Sequence, residues 1–287
     1  MKNWTISGKT KVCGVIGDPI EHTLSPVIHN TAFKELALDY VYLPFHVDKD
    51  ELGKAIDGMR ALKIRGLNVT IPHKVNVIPF LNELDPMAEK LGAVNTIVND
   101  DGFLKGYNTD AAGFLQALLE ERVEPGDKNI AIIGAGGASR AISFILANSG
   151  ANLVILNRLE ELDWATNLAA NISQIFNKEV RALELTDDNL ADTLGKIDII
   201  VNATSVGMTP NINATLVPAG LIKPNMVVFD AVYNPTKTRL LREAEQAGAK
   251  TIGGINMLVW QGVLAFEMWT GQKAPVELIK QEIIKAL

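Results

Sequence analysis

In the stretch GLNVTIPHK, Asn68 and Thr70 alternate with Leu67, Val69 and Ile71, and Lys74 follows two residues after Pro72. An amide and a hydroxyl on one face of a strand can both donate and accept, and a proline cannot continue the ladder, so the lysine falls just beyond a strand's carboxyl end. In open α/β sheets ligands bind there, at the rim of a crevice. Taken alone, a lysine in that place is more commonly a solvated side chain. Three further stretches add groups of the same kind. In HTLSPVIHNTAF, Ser25 reads as a helix N-cap and Pro26 as the first helical residue. Hydroxyls of Thr23 and Ser25 at a helix start suit a carboxylate, or they simply cap the helix. Asn95 interrupts the apolar run GAVNTIV, as a ligand group or as a satisfied buried amide. Asp110 of GYNTDAAGF is an acid at a helix start, or only that helix's cap.

A second kind of site is written in NIAIIGAGGASRAISFILANSGANLVILNR, which reads as strand, glycine turn, helix and strand. Gly134 and Gly136 stand where backbone N–H groups approach a pyrophosphate at a helix N-terminus, which points to a dinucleotide. An ordinary strand-to-helix turn is the plainer alternative. The third fingerprint position is Ser139 instead of glycine, so the helix is expected slightly further from the strand. Asn157 and Arg158 follow the second strand. An acid in that place accepts from a ribose 2′-OH, whereas an arginine suits a 2′-phosphate, which favours NADP. Glu160 and Glu161 come directly after, and the next cation is Lys178. An acid at Glu160 keeps NAD open as the cofactor.

These groups need a framework, and the chain supplies one. With 287 residues, 47% of them hydrophobic, it can form two domains with separate cores. Strands are expected at Lys11–Ile16, Tyr40–Phe45, Gly66–Ile71, Ala93–Val98, Asn129–Ile133, Leu153–Leu156, Ile197–Asn202, Met226–Phe229 and Lys250–Ile252, with amphipathic helices filling most gaps. That alternation argues for parallel α/β layers. A helix over Gly106–Glu121 would lead from a first domain, residues 1–110, into a second, residues 111–254. Helices over Ile255–Thr270 and Pro275–Leu287 would complete the first domain.

Composition excludes several classes. A formal net charge of −6 without a basic run leaves no footprint for nucleic acid. The N-terminal stretch has no apolar core of a targeting signal, and no later segment approaches a membrane span, so a soluble cytoplasmic protein is expected. The single cysteine, Cys13, and the scattered His22, His29, His46 and His73 give no disulfide and no metal spacing.

Taken in order, HTLSP, NVTIPHK, GAVNTI, GYNTD, GAGGASRA, NATSVGM, VYNP and MLVWQG closely resemble the shikimate dehydrogenase family across nearly the whole chain. The resemblance implies an α/β substrate domain, a Rossmann-type doubly wound dinucleotide-binding domain and an active site in the cleft between them. It implies the reversible NADPH-dependent reduction of 3-dehydroshikimate to shikimate, in aromatic amino-acid biosynthesis. Lys74 and Asp110 match the family's catalytic pair. Thr23, Ser25, Asn68, Thr70, Asn95 and Gln261 match its substrate positions, although a glutamine on an apolar helix is also compatible with simple burial. Tyr233 is counted with the substrate residues and, with Gly254 and Met257, falls near the nicotinamide. Gly134, Ala135, Gly136, Gly137, Ala138, Ser139, Asn157, Arg158, Ala203, Thr204 and Val232 fall on the cofactor side.

Two departures matter. Thr23 replaces a common serine, and Leu159, Glu160 and Glu161 replace a small hydroxyl residue followed by a further cation. A bifunctional quinate/shikimate dehydrogenase using NAD or NADP is therefore the rival within the class. A non-catalytic dinucleotide sensor is remote, because Lys74 and Asp110 are both present. The expected partner is the small-molecule acid; a homodimer stays open.

Overall fold

The computed structural model describes residues 5–287, which divide into two compact units, residues 5–109 with 259–286 and residues 110–258 with 287. The first unit opens with β1 (Lys11–Gly17), α1 (Ser25–Glu35), β2 (Tyr40–His46), α2 (Leu52–Ala61) and β3 (Gly66–Val69). It continues through β4 (Glu83–Leu84), α3 (Pro86–Leu91), β5 (Thr96–Asp100) and β6 (Phe103–Tyr107). Its six-stranded sheet runs β2-β1-β3-β5-β6-β4. The pairs β1–β2 and β1–β3 are parallel, whereas β5 is antiparallel to both β3 and β6. The sheet is therefore mixed, which differs from the all-parallel layering expected. The antiparallel half arises because β5 turns straight into β6 through Asp101 and Gly102, both with positive φ, and a turn that short allows only an antiparallel neighbour.

Local chemistry sets the element ends. Helix α3 is delimited by Asp85, whose side chain accepts from Met87 N at 2.9 Å, by Pro86 in its first turn and by left-handed Gly92. Ser25 does not stand at the N-cap of α1; Leu24 does, and Ser25 is the first helical residue. Thr23 Oγ1 accepts from Ser25 N at 3.3 Å, so the hydroxyl two residues upstream takes over part of the capping. The expected helix over Gly106–Glu121 is shorter, because residues 103–107 pair as β6, and α4 runs Thr109–Glu120.

In the second unit β7 (Asn129–Ile133), α5 (Gly137–Asn148), β8 (Asn152–Asn157), α6 (Leu162–Phe176) and β9 (Arg181–Glu184) come first. Next are α7 (Asp187–Leu194), β10 (Ile199–Asn202), β11 (Val227–Asp230), α8 (Arg239–Gln246) and β12 (Lys250–Gly253). Helices α9 (Gly254–Thr270) and α10 (Val276–Ala286) close the chain. The sheet order is β12-β11-β10-β7-β8-β9, with every pair parallel. This is the doubly wound order, and the chain changes direction between β7 and β10, where a crevice must open at the strands' carboxyl ends. Strands β7 and β8 are almost continuously apolar because helices cover both faces of a parallel sheet. No helix of the described residues is long and apolar enough to cross a membrane.

Within the first unit the last turns of α9 pack on the sheet. Trp269 is almost fully buried and its Nε1 donates to Ile97 O at 3.0 Å. Only glycine fits at position 66, since a Cβ there would lie 2.0 Å from that indole nitrogen. His29 lies in the same aromatic core, stacked on Tyr42 with ring centroids 4.2 Å apart and tilted against Trp269 at 5.0 Å. Neither of its ring nitrogens meets a hydrogen-bond partner. Burial holds the imidazole down at about 3, the nearby Asn68 amide acting in the opposite direction. The folded state thus refuses a proton that the unfolded chain accepts near 6.5. Stability tied to His29 is complete above that value and is lost as pH falls through the window from 6.5 towards 3. Urea unfolding between about pH 6.5 and 4.5 is expected to lose roughly 1.4 kcal/mol per pH unit from this residue. His29→Phe is expected to flatten the slope by that amount; an unchanged slope would place the acid sensitivity elsewhere.

Candidate active site

In the first unit, polar side chains interrupt the sheet at one place. Asn68 on β3 is only 5% exposed, and its amide is bonded at both the oxygen and the nitrogen. Its Oδ1 accepts from the Tyr42 hydroxyl at 2.6 Å, and its Nδ2 donates to Thr96 Oγ1 at 3.0 Å and Asn95 O at 3.3 Å. Asn95, just before β5, accepts at Oδ1 from Thr109 N at 2.6 Å, and its Nδ2 donates to Thr109 Oγ1 at 3.0 Å. The amide of Asn95 therefore holds the first residue of α4, and Asp110 is the next residue along. Lys74, half-buried, has its carbonyl tied to Val94 N at 2.8 Å, one residue before Asn95. Burial raises the Tyr42 phenol well above its ordinary value, with a Ser25 hydrogen bond opposing, so the phenol stays a neutral donor. Tyr42 thereby links Ser25, at the start of α1, to Asn68.

The remaining substrate candidates surround this network. Thr23 Oγ1 donates to Ser25 Oγ at 3.2 Å. Thr70 N donates to Ile16 O at 3.0 Å where β3 gives way to a turn closed by His73 N to Thr70 O. Gln261 lies on α9 beside Gly262, whose missing side chain admits Ile28 of α1, a Cβ there falling 2.8 Å from Ile28 Cγ2. Tyr42 was passed over in the sequence because YVYLPF reads as plain strand core.

In the second unit the cofactor candidates collect at the carboxyl ends of the strands. Gly134 follows β7 with φ +104, and a Cβ there would stand 2.7 Å from Thr204 Cγ2, so the turn demands glycine. Around Gly136, the N-cap of α5, a Cβ would meet nothing within 4 Å, which leaves the helix start open. A cavity of about 330 Å³ opens here, lined by Gly134, Ala135, Gly136, Asn157, Arg158, Ala203 and Thr204 among others. Glycine N–H groups, a helix start and a guanidinium around one cavity fit a dinucleotide's phosphates. Gly137 and Ala138 are exposed at the same helix start. Val232, Tyr233, Gly254 and Met257 sit past β11 and β12, and Val232 is held by the buried Asp230. The Asp230 carboxylate accepts from Val232 N at 3.0 Å, Asn202 Nδ2 at 2.9 Å and Thr238 Oγ1 at 2.5 Å.

Two expectations change in detail. Ser139, expected only to set the helix slightly further from the strand, is fully buried and its hydroxyl donates to Gly134 O at 2.6 Å, so the serine also clasps the turn. Glu160 is exposed and does not line the cavity, whereas Glu161 does and forms an ion pair with Arg158. Lys178 lines a different groove with Asn129 and Asn152, at the amino-terminal edge of the sheet, and its ammonium donates to Gly150 O and Ala151 O. Trp164, Ser205 and Val206 also line the cavity, without a motif to announce them.

Three family models match the chain. They are the shikimate dehydrogenase substrate binding domain over residues 15–97, shikimate / quinate 5-dehydrogenase over 117–236 and the shikimate 5'-dehydrogenase C-terminal domain over 254–284. A protein named shikimate dehydrogenase (NADP(+)) from Dehalococcoides mccartyi (strain CBDB1) is 48% identical over 274 residues, 96% of this chain and 95% of that one. The chain belongs to the shikimate dehydrogenase family. Among solved members, shikimate 5-dehydrogenase from Listeria monocytogenes, in complex with shikimate and NAD, superimposes with a TM-score of 0.93 at 42% identity, covering 97% of this chain and 98% of that one. A shikimate dehydrogenase in complex with NADP+ gives a TM-score of 0.91 at 45% identity, with 98% and 97% covered.

The serine clasp generates a prediction. Ser139→Ala leaves Gly134 O without a side-chain donor beside the turn, which is expected to cost about 1–3 kcal/mol of stability. It is also expected to weaken dinucleotide binding several-fold while the KM for the acid substrate stays put. Thermal unfolding and initial rates check both, and equal weakening for the two ligands would refute a role confined to the turn.

Proposed function

We propose that the chain catalyses the reversible NADPH-dependent reduction of 3-dehydroshikimate to shikimate. The observation that carries this reading is the amide and hydroxyl network around Asn68 and Asn95 in a chain 48% identical to a shikimate dehydrogenase (NADP(+)). Amides and hydroxyls both donate and accept, which suits a hydroxylated ring acid better than a phosphate or an apolar ligand. On this reading residues 1–110 with 255–287 form the substrate domain, and residues 111–254 hold the dinucleotide. Thr23 and Ser25 at the start of α1 receive the carboxylate, while Asn68, Thr70, Asn95, Gln261 and Tyr233 address ring hydroxyls.

A bound dinucleotide would supply hydride chemistry at a ketone carbon, for which the site must stabilise negative charge on the substrate oxygen. Lys74 provides the ammonium that stabilises that charge, and Asp110 holds the same oxygen's hydroxyl and relays its proton. The backbone of the turn at Gly134–Ser139 binds the pyrophosphate, Arg158 the 2′-phosphate, and Ala203, Thr204, Val232, Gly254 and Met257 the remaining cofactor surface.

A second reading is bifunctional use of quinate and NAD; its NAD half is favoured by Glu161 beside Arg158 and by the relative whose structure holds shikimate and NAD. Initial rates with shikimate and with quinate, each with NADP+ and with NAD+, separate the two. Activity concentrated on shikimate with NADP+ is expected; comparable rates with quinate or NAD+ would transfer the assignment to the bifunctional type, and no activity with any pair would refute both. Lys74→Met is expected to lower turnover by roughly 10²–10⁴-fold with dinucleotide affinity nearly unchanged. Wild-type turnover in that variant would remove Lys74 from the mechanism.

A further inference from the structure

Arg158 and Glu161 are the sole cation and the sole anion among the described residues lining the 330 Å³ cavity. They face each other because of the turn between them. Arg158 caps a single 3-10 turn, Leu159–Glu161, and side chains three residues apart on such a turn eclipse. Two bonds fix the backbone at position 161: its N–H donates to Arg158 O at 3.1 Å, and its carbonyl accepts from Asn157 Nδ2 at 2.8 Å. The carboxylate is accordingly delivered to the guanidinium by local geometry. The guanidinium also holds the Glu161 carboxyl below its usual range, so the pair is ionised at neutral pH.

We propose that Glu161 is a specificity-determining residue for the cofactor: as the internal counter-ion of Arg158 it competes with the 2′-phosphate and lowers the preference for NADP(H) over NAD(H). The inference rests on the reading that this cavity receives the dinucleotide's adenosine end. A 2′-phosphate must take Arg158 from an existing partner, and it must also sit a few ångströms from a carboxylate of like charge. A 2′-hydroxyl meets neither penalty, and a carboxylate can accept its proton. Both effects act in the same direction, and no second cation of the cavity offsets them, since Lys178 is engaged at the other edge of the sheet. The neighbouring Glu160 carries the same charge one residue away, yet it is exposed and outside the cavity wall.

Calorimetric titration of NADP+ and NAD+ into the wild type and into Glu161→Gln, Glu160→Gln and Arg158→Gln tests this. The substitutions at 161 leave both backbone bonds in place, and Glu161→Ala serves as a second variant with the same expected direction. The ratio of the NAD+ to the NADP+ dissociation constant is expected to rise roughly five- to tenfold in Glu161→Gln. It is expected to move less than about twofold in Glu160→Gln, where no ion pair is broken. In Arg158→Gln it is expected to fall towards one. A ratio that is unchanged or lower in both Glu161 variants, with Arg158→Gln still collapsing it, overturns the inference and leaves the cofactor reading intact. An equal rise in Glu160→Gln overturns it as well, because bulk charge would then account for the effect. A ratio unmoved by Arg158→Gln instead overturns the reading of the cavity on which the inference depends.

Discussion

An amide buried in an apolar strand must be bonded on both its oxygen and its nitrogen, and much of the first unit is arranged to meet that demand at Asn68. Leaving such a group unpaired in the interior costs several kcal/mol by the usual order of magnitude. Tyr42 supplies the donor from one neighbouring strand system, and Thr96 and the Asn95 carbonyl supply acceptors from the other. The antiparallel pairing of β5 against β3 is what brings Thr96 opposite Asn68 in register. Asn95 then passes the constraint onward by binding both the N–H and the hydroxyl of Thr109. One buried polar requirement thus reaches through Asn95 to Thr109, the first residue of α4.

The second unit solves a different problem. A phosphate-binding turn needs backbone that approaches closely and is stiff enough to stay open, and glycines give the first property at the expense of the second. Ser139 restores stiffness by bonding back to Gly134 O across the turn. Thr204 presses against the same glycine from the end of β10, and Asn202 holds Thr204 through its hydroxyl at 2.7 Å and its N–H at 3.1 Å. Asn202 in turn donates to Asp230. The switch point of the sheet is therefore lined by the Thr204 methyl against Gly134 and by short polar contacts running on from Thr204 through Asn202 to Asp230. Burial pushes the Asp230 carboxyl upwards while Thr238, Val232 and Asn202 pull it down, the balance lying with burial. That is the expected signature of a structural acid enclosed in its own donors.

What the sequence disclosed follows from the same physics. Strands buried on both faces write themselves as apolar runs, so Asn129–Ile133 and the strand around Val154 were readable to within a residue or two. Strand β6, FLKGY, was not, because Lys105 and Gly106 break any alternation. Gly106 is needed there for space, since Leu81, Val94 and Leu84 would all crowd a Cβ. Edge strand β9, RALE, is half-exposed and carries charges at both ends, so it has no pattern to detect. The glycine turn and Lys74 were legible as motifs of residue type and order. Tyr42 was not, since a tyrosine alternating with valine looks the same whether its hydroxyl is idle or committed.

The glutamates after Arg158 show most clearly where sequence proximity stops being informative. Two adjacent acids are equivalent on paper, and the earlier one stands nearer the position where an unphosphorylated ribose is read. The 3-10 turn reverses that order, because three residues per turn returns position 161 beneath 158 and sends 160 outwards. A long flexible arginine would otherwise be free to sample solvent, with considerable side-chain entropy lost when it meets a ligand. Held by Glu161, it is already oriented at the cavity, so part of that ordering is done before any cofactor arrives. The carboxylate that opposes a 2′-phosphate electrostatically also preorganises the group that would bind it. These two contributions have opposite signs and both act through the 2′-phosphate, so the selectivity between the two dinucleotides reads their balance.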